Sequence, residues 1–530
     1  MSIRSFLLGM NVNNPNSLYT YRPFIGLLLL ICLSCTSPVS EADKVLADSA
    51  EVDMWIKGGQ VIDGTGQASK QAEVLTRGER IIFVGKLGKI APQAKQIIEA
   101  EGMVVTPGFI DPHAHGRPLE DASFPNFLAQ GVTTIFLGQD GSSPKVSELP
   151  TWREQLAHSG SGPNIGLFIG HGTLRHESGV GFKKDPDLGA LQNMYELLEQ
   201  ALDFGVWGMS TGLEYTPGMY AGEEELQALA QILGKKDKMI MSHIRNEDDD
   251  QLDKSLEELI SQGKFCRVHV SHMKSVYGKG KERGRQLLSV LARAREEGGT
   301  ITADVYPYTA SYTTLGIVFP EWARPPNEFA RVLRSRRQEL GDYLRMRVTK
   351  RNGPAATLIS SGTYSGRTLE QVATEKGMPF EKVLMEEFGP TGTSAAYFVM
   401  NEELQETLLK DSLVMVSSDG SPTMQHPRGY GSFAKIIESF VIQNQVFSLE
   451  EGIRKMTSLP AQTIGIVDRG TLQAGMKADI LVFNPQFIHT PATFESPHQL
   501  AVGMDHVIIN GKWVESKELD RYGKLLLSPN

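Results

Sequence analysis

The chain of 530 residues carries 53 lysines and arginines against 62 aspartates and glutamates, which gives a formal net charge of −9. No dense block of basic residues interrupts this acidic balance, so the electrostatic pattern of a nucleic-acid-binding protein is absent. The length allows several domains, and one α/β barrel of roughly 250 residues or more with an accessory domain fits it. We therefore expect a large folded core and no nucleic-acid partner.

The N-terminal segment has the pattern of an export signal. Residues 24–33 are uncharged and apolar, a stretch that is too short to span a bilayer and is typical of the core of a signal peptide. The Leu-Ser-Cys sequence ending at Cys35 resembles a bacterial lipoprotein cleavage site, with Cys35 as the lipidated first mature residue. We expect a lipoprotein-type signal peptide over residues 1–35 and a polar tether over residues 36–52. The protein is then exported, as a periplasmic or membrane-anchored bacterial lipoprotein, with simple secretion as the alternative.

Two strand-rich ends flank a different middle. Residues 53–106 and 466–530 contain short apolar runs between Gly and Asp turns, which predicts one small β-sandwich domain formed from both termini. Residues 107–465 alternate apolar strand-like runs with helical stretches, which predicts an α/β protein with a TIM-like (β/α)8 barrel. An open doubly wound sheet is the alternative, although the chain shows no Gly-rich dinucleotide turn. A charged helical insertion within about residues 316–405 is expected to contribute a lid.

A pair of histidines follows the first strand-like run of the predicted barrel. His113 and His115 are two residues apart at the end of this run. Because strand side chains alternate between faces, both imidazoles point the same way and supply half of a divalent-metal site. The carboxyl ends of barrel strands meet at one face, so polar residues that end the other runs should join them. These residues are Asp140, His171, Glu214, His243, His272, Asp304 and Asp419.

Side-chain parity separates the histidines of two later runs. In residues 238–243 the two methionines share a face with His243, and in residues 267–272 the two valines share a face with His272. If these apolar side chains fill the barrel, both histidines enter the metal site. His269 lies on the opposite face, and we expect it to point toward the helices as a packed or hydrogen-bonded histidine.

A carboxylate at the end of the last apolar run is suited to act as the catalytic base. Asp419 closes the run that begins at Val414. A metal-dependent hydrolase needs a group that takes a proton from the attacking water and returns it to the leaving group. Asp419 is therefore the candidate catalytic residue.

Several runs, in order along the chain, carry a resemblance to a known family. They are residues 107–115, 207–218, 242–247, 270–274, 304–308, 417–420, 426–431, 457–461 and 468–470. Together they resemble the amidohydrolase superfamily and, within it, the N-acyl-D-amino-acid deacylases. The resemblance implies a hydrolase with one or two zinc ions that removes the acyl group from N-acyl-D-amino acids. A cyclic-amide or dipeptide hydrolase of the same superfamily is the alternative, and a non-catalytic binding protein on the same fold is a remoter one.

The resemblance departs at one metal-binding position. Family members commonly carry a metal-binding Cys in a Gly-Asn-Cys-Gly sequence, where this chain has Gly-Gln-Asp-Gly with Asp140. Aspartate also ligates zinc, as a harder oxygen donor. We expect Glu214 to supply the bridging carboxylate and keep Asp140 as a further ligand candidate, so the number of metal ions stays open.

The implied substrate carries a carboxylate that needs a partner once water is excluded. The resemblance places Lys274, Tyr215 and Tyr306 at carboxylate-binding positions, and Arg428 in the His-Pro-Arg loop is a further candidate. The expected partner is a small N-acyl amino acid or a related amide. Contact with a membrane is expected only through the N-terminal lipid, and the oligomeric state stays open.

Overall fold

The computed structural model describes residues 40–47 and 49–529. The predicted signal peptide, with Cys35, lies outside these residues. Among the described helices, none has the length and apolar character that crossing a bilayer requires.

The described chain forms strands along its whole length, and they group into a terminal sheet, a parallel middle region and an insertion. In chain order they are β1 (Glu51–Val61), β2 (Lys70–Arg77), β3 (Arg80–Gly85), β4 (Gln93–Glu99), β5 (Val104–Pro107), β6 (Phe109–Asp111), β7 (Val132–Leu137), β8 (Asn164–Leu167), β9 (Ile169–Gly170), β10 (Gly208–Gly212), β11 (Met239–His243), β12 (Arg267–Val270), β13 (Ile301–Val305), β14 (Ser311–Thr314), β15 (Thr357–Ile359), β16 (Ser394–Tyr397), β17 (Val414–Val416), β18 (Ile480–Phe483), β19 (His506–Ile509) and β20 (Lys512–Trp513).

Many of the α-helices of the described chain connect the parallel strands. In chain order they are α1 (Glu41–Ala47), α2 (Pro125–Ala129), α3 (Leu149–Ser159), α4 (His171–Glu177), α5 (Leu188–Phe204), α6 (Glu223–Lys235), α7 (Asp249–Gln262), α8 (Gly280–Glu296), α9 (Phe329–Ser335), α10 (Arg337–Lys350), α11 (Leu369–Lys376), α12 (Phe380–Val383), α13 (Glu402–Leu409), α14 (Arg428–Lys435), α15 (Leu449–Met456) and α16 (Ser458–Ile464). Two π-helical segments, Leu384–Phe388 and Ile436–Gln443, continue α12 and α14.

The middle of the chain is a series of parallel strands that pair mostly with their neighbours in sequence. β6 pairs with β7 and β7 with β8, and β9, just past Phe168, begins the series β9-β10-β11-β12-β13-β17. A parallel bridge between Ala114, just past β6, and Gly420, just past β17, connects the two ends of this series. The predicted α/β class is confirmed. Because the strands are parallel, their carboxyl ends lie at one edge and bring the residues that follow them together.

Apolar side chains pack on both sides of these strands. On one face, which we call the inner face, Met239 and Met241 of β11 pack with Phe136 and Trp207. On the other face, residues such as Ile240 belong to a large core shared with the surrounding helices. Full burial of each such side chain contributes about 1.5–3 kcal/mol relative to exposure, so both layers hold the strand ends in fixed positions.

The two ends of the described chain join in one sheet. Its order is β20-β19-β18-β5-β1-β2-β3, with β4 also paired to β1. β18 is antiparallel to β5, and Ile480 lies opposite Pro107. The sheet thus combines strands from both termini, while a sandwich, which needs a second facing sheet, stays a prediction.

The folded body begins earlier than the sequence predicted. Residues 36–52 were expected to form a tether, but α1 and the start of β1 lie within them. Ala42 and Leu46 of α1 are buried against Leu75 and Phe83 of the terminal sheet. The tether prediction is therefore wrong for this part, because two apolar residues spaced four apart give the short helix a buried face.

The insertion before β17 has its own sheet and its own core. β14, β16 and β15 form a three-stranded antiparallel sheet, and α9–α12 pack with it. Leu340 and Leu344 of α10 are buried in this separate cluster. The charged helical pattern expected within about residues 316–405 is present, but the sheet was not foreseen. A closing motion of this insertion stays a prediction.

Candidate metal centre

Two histidines enter the site directly after β6. His113 is fully buried, and both of its ring nitrogens lack a hydrogen-bond partner among the described residues. A buried imidazole without a partner is costly, whereas a metal ion at one nitrogen would satisfy it. The ring of His115 lies 5.3 Å from that of His113. The amide of Asp419 donates to the carbonyl of His113 at 2.9 Å, which ties the last strand end to the first.

Three side chains reach the site from residues with a left-handed backbone. The φ angles are 54° at Asp140, 37° at His272 and 47° at Asp419. Residues other than glycine rarely adopt this region, and such strain is concentrated at functional sites. Each of these turns lies just past a strand end and breaks the strand alternation. As a result the His272 ring lies 4.8 Å from the His113 ring.

Asp140 lies in the middle of the histidines. Its Oδ1 is 3.2 Å from His272 Nε2 and 3.4 Å from His113 Nε2, and its Oδ2 is 3.6 Å from His115 Nε2. His243 Nδ1 lies 3.9 Å from the same Oδ1. A carboxylate with histidines near both oxygens has the arrangement needed to bridge two metal ions.

Glu214 lies at the edge of this cluster. Its Oε2 is 3.3 Å from His243 Nε2, and its Oε1 is 3.9 Å from Arg347 Nη2. Glu214 was expected to be the bridging carboxylate, and this role stays a prediction, since Glu214 contacts one histidine of the cluster, His243. The left-handed turn at Asp140 brings its carboxylate closer to the other histidines than that of Glu214.

Asp419 connects the cluster to a cation. Its Oδ1 is 3.1 Å from His115 Nε2 and 3.8 Å from His113 Nε2, while its Oδ2 is 2.9 Å from Arg428 Nη2. Burial alone would raise the pKa of Asp419, but Arg428 and then His272 outweigh burial and hold that pKa well below its usual range. The carboxylate is therefore ionised and offers its oxygens to cations and hydrogen-bond donors.

The donor set fits a divalent metal. Ligand atoms of His113, Asp140, His272 and Asp419 all lie within 4.8 Å of one another. Imidazole nitrogen and carboxylate oxygen are donors that zinc takes. Burial and Lys274 lower the pKa of His272, yet Asp419 and Asp140 outweigh them and raise it to about 10. The carboxylates thus favour additional positive charge at the cluster.

One buried carboxylate of the site was not singled out from the sequence. Glu247 lies on the loop after β11, and Lys274 Nζ donates to its Oε1 at 2.6 Å. The same Oε1 is 3.2 Å from His272 Nδ1. With His243 and His272 it forms a second group of ligand atoms within 4.8 Å. Strand parity does not apply to a loop residue such as Glu247. Its place in the family-like run 242–247 was the one sequence feature that could have marked it as part of the site.

The parity argument for β12 selected His272 for the wrong reason. Val268 and Val270 pack in the outer layer with the helices. His269 pairs in register with an interior methionine of β11 and points inward, where its Nε2 is 2.6 Å from Asp304 Oδ2. His269 is therefore hydrogen-bonded, as expected, but it does not point toward the helices. His272 reaches the site because its left-handed backbone breaks the alternation.

The predicted substrate-binding residues surround the metal cluster. Lys274 Nζ and the Arg428 guanidinium lie 5.8 and 4.6 Å from the ring centroid of Tyr306. The ring of Tyr215 lies 4.5 Å from that of His243. Arg428 Nε and Nη1 are buried without a hydrogen-bond partner in the described part of the chain. Tyr215 and Arg428 also line an open cleft with an empty volume of about 1230 Å³.

Sequence comparison relates this geometry to known enzymes. Residues 346–515 match the sequence profile described as the amidohydrolase family. N-acyl-D-glutamate deacylase of Alcaligenes xylosoxydans xylosoxydans is 30% identical over 487 residues, which are 87% of this chain and 93% of that enzyme. The chain belongs to the N-acyl-D-amino-acid deacylase family of the amidohydrolases. The resemblance seen in the sequence is confirmed.

Other members of the deacylase family match over similar lengths. D-aminoacylase of the same organism is 29% identical over 502 residues, 88% of this chain and 95% of that enzyme. The structure of N-acyl-D-glutamate deacylase from Bordetella bronchiseptica, with zinc and a phosphonate mimic of the tetrahedral intermediate, has a TM-score of 0.78 and 30% identity. A D-aminoacylase structure that concerns a binuclear metal centre has a TM-score of 0.77 and 29% identity. Both comparisons cover 90% of this chain and 100% of the other.

Proposed function

We propose that this protein is a zinc-dependent amide hydrolase that removes the acyl group from N-acyl-D-amino acids. The observation that carries the proposal is the convergence of His113, Asp140, His272 and Asp419 at the strand ends, with an imidazole that has no other partner among the described residues. The relatives named N-acyl-D-glutamate deacylase and D-aminoacylase, which match over most of their length, support the substrate class.

The chain's own residues have distinct parts in this reaction. Asp140 and the four histidines around it would hold zinc; these are His113, His115, His243 and His272. When bound, zinc polarises a carbonyl and makes water a nucleophile near neutral pH. Asp419 takes a proton from the attacking water and returns it to the departing amine nitrogen, so that acid and amine are released. Arg428, at 2.9 Å from Asp419 Oδ2, keeps this carboxylate oriented.

The substrate carboxylate is proposed to bind beside Asp419. Arg428 has two guanidinium nitrogens, Nε and Nη1, that are buried and without partners among the described residues, and such donors suit a carboxylate. Lys274, Tyr215 and Tyr306 lie around the same point and would complete the pocket. Holding the carboxylate here would place the amide next to it near the metal cluster.

The direct test is amine release from paired N-acetyl-D- and N-acetyl-L-amino acids by zinc-loaded protein that lacks its first 35 residues. We expect D-selective turnover that a chelator removes and added zinc restores. Asp419→Asn should abolish most of the turnover. The matched variant Asp253→Asn changes a carboxylate that pairs with Arg283 at the surface, and it should leave the rate unchanged. No turnover by the zinc-loaded protein would refute the proposal, and activity on cyclic amides or dipeptides would favour the alternative.

We further propose that the protein is exported and held on a membrane by lipid at Cys35. The support is the uncharged apolar stretch of residues 24–33 followed by Leu-Ser-Cys. In a bacterial host, labelled fatty acid should be incorporated into the full-length chain and not into the Cys35→Ser variant. Equal distribution of the two forms between membrane and soluble fractions would contradict the anchor.

A further inference from the structure

We propose that Glu247 is a positioning residue that determines how His272 presents its nitrogen to the metal. This inference rests on the metal-dependent function proposed above. Glu247 is inferred to raise the metal affinity by accepting a hydrogen bond from His272 Nδ1. It is also inferred to hold the ammonium group of Lys274. Glu247, Lys274 and His272 are only 6%, 3% and 1% exposed. Water therefore has little access to replace the hydrogen bonds among these three side chains.

The two nitrogens of His272 have different surroundings. Nε2 lies 3.2 Å from Asp140 Oδ1 and 3.0 Å from His243 Nδ1, within the ligand cluster. Nδ1 lies on the other side of the ring, 3.2 Å from Glu247 Oε1. A neutral imidazole offers a lone pair at one nitrogen only when the other nitrogen carries the proton. In metal sites that second nitrogen usually donates to a carboxylate or carbonyl, and Glu247 is the carboxylate within reach.

Lys274 acts on the same nitrogen in the opposite sense. Its Nζ lies 2.8 Å from His272 Nδ1, and an ammonium group can only donate a hydrogen bond. If Lys274 donates to Nδ1, the ring proton must stay on Nε2 and the lone pair that faces the cluster is lost. Glu247 accepts a hydrogen bond from Lys274 at 2.6 Å and so provides this donor with another partner.

The rest of the local structure keeps His272 in place independently of Glu247. Asp304 Oδ1 accepts a hydrogen bond from the His272 amide at 2.9 Å. A change at Glu247 should therefore alter the hydrogen-bonding state of the ring more than the position of the backbone. This distinction separates a positioning role from a general contribution to folding.

The test measures zinc affinity of the purified protein by competition with a chromogenic chelator. Glu247→Gln should bind zinc about 10- to 100-fold more weakly than wild type, the usual effect of losing an outer carboxylate. Glu247→Asp, which keeps the charge, should recover part of the affinity. The matched control is Glu225→Gln, which removes an equally buried carboxylate that lies 2.7 Å from His171 Nε2 and pairs with Arg175 outside the metal cluster. This control should keep wild-type zinc affinity.

A double variant distinguishes positioning from simple loss of structure. Adding Lys274→Met to Glu247→Gln removes the competing donor, so zinc affinity should rise again relative to Glu247→Gln alone. A purely structural role predicts a further fall. Unchanged affinity in Glu247→Gln, or an equal loss in Glu225→Gln, would overturn the proposal. Because the readout needs no substrate, inactivity toward N-acyl-D-amino acids would count against the proposed function and not against this inference.

Discussion

Replacing Asp248 with asparagine should loosen the attachment of the insertion to the parallel-strand region. Asp248 precedes α7, and its carboxylate accepts hydrogen bonds from Arg351, at 3.0 Å, and from Arg347, both contributed by α10 and the residue after it. All three side chains are buried. The asparagine variant keeps the size of the side chain but leaves two buried guanidinium groups without their shared counter-charge.

The expected loss is about 3–5 kcal/mol in the free energy of unfolding, because removing one partner of a buried ion pair leaves an uncompensated charge. Burial already lowers the pKa of Arg347 to about 10, which reflects how little water solvates it. Urea unfolding followed by circular dichroism measures the loss, and limited proteolysis shows whether the insertion opens first. Asp253→Asn, at a half-exposed carboxylate that pairs with Arg283, should cost less than about 1 kcal/mol. A loss at Asp248 no larger than at this control would refute the reasoning.

Three further predictions test the site and the stability of the fold. Asp419→Asn should lower kcat by about 10²–10⁴-fold in the amine-release assay, because the proton acceptor is lost; a rate within tenfold of wild type would exclude Asp419 as the base. Lys524 and Lys477 lower the pKa of Glu79 from 4.5 to about 2, so its stabilising contribution is present above pH 4.5 and is lost as the pH falls through 2. With screening this contribution is about 1 kcal/mol or less, and the urea midpoints of wild type and Glu79→Gln should converge in acid; a constant difference would contradict it. Burial raises the pKa of the Cys266 thiol to about 12, so a thiol reagent should modify it only after unfolding, and rapid reaction in the native protein would show that the residue is accessible.

The order of strands and the residues at their ends could be predicted from the sequence because both follow from short-range patterns. His243 is the clearest case, since the methionines of β11 pack on the same face as Phe136 and Trp207 and the histidine continues that face. His113 and His115 follow the end of β6 and were found by their spacing of two residues. Periodicity of two is a property of the extended backbone itself, so it survives whatever the rest of the chain does.

Residues with a left-handed backbone past a strand end could not be placed in this way. His272 and Asp140 adopt positive φ angles, and a left-handed residue reverses the face that parity assigns. The choice between Asp140 and Glu214 as the central carboxylate depended on that turn. The sheet of the insertion was missed for a related reason: β14, β15 and β16 pair over long separations in sequence, and each is only three or four residues long.

The loop after β11 joins the two parts of the molecule that the sequence treated separately. Glu247 and Asp248 are neighbours, yet the first contacts Lys274 at the metal cluster and the second contacts the arginines of the insertion. The carbonyl of Glu247 accepts from the amide of Val276 at 2.9 Å, and the amide of Asp249 donates to the carbonyl of Val276 at 3.1 Å, so the loop is held from its other side as well. A shift of α10 would therefore pull on Asp248 and reach Glu247 through a single peptide bond. We therefore expect Asp248→Asn to weaken zinc binding as well as to lower stability, and unchanged zinc affinity in this variant would contradict the coupling.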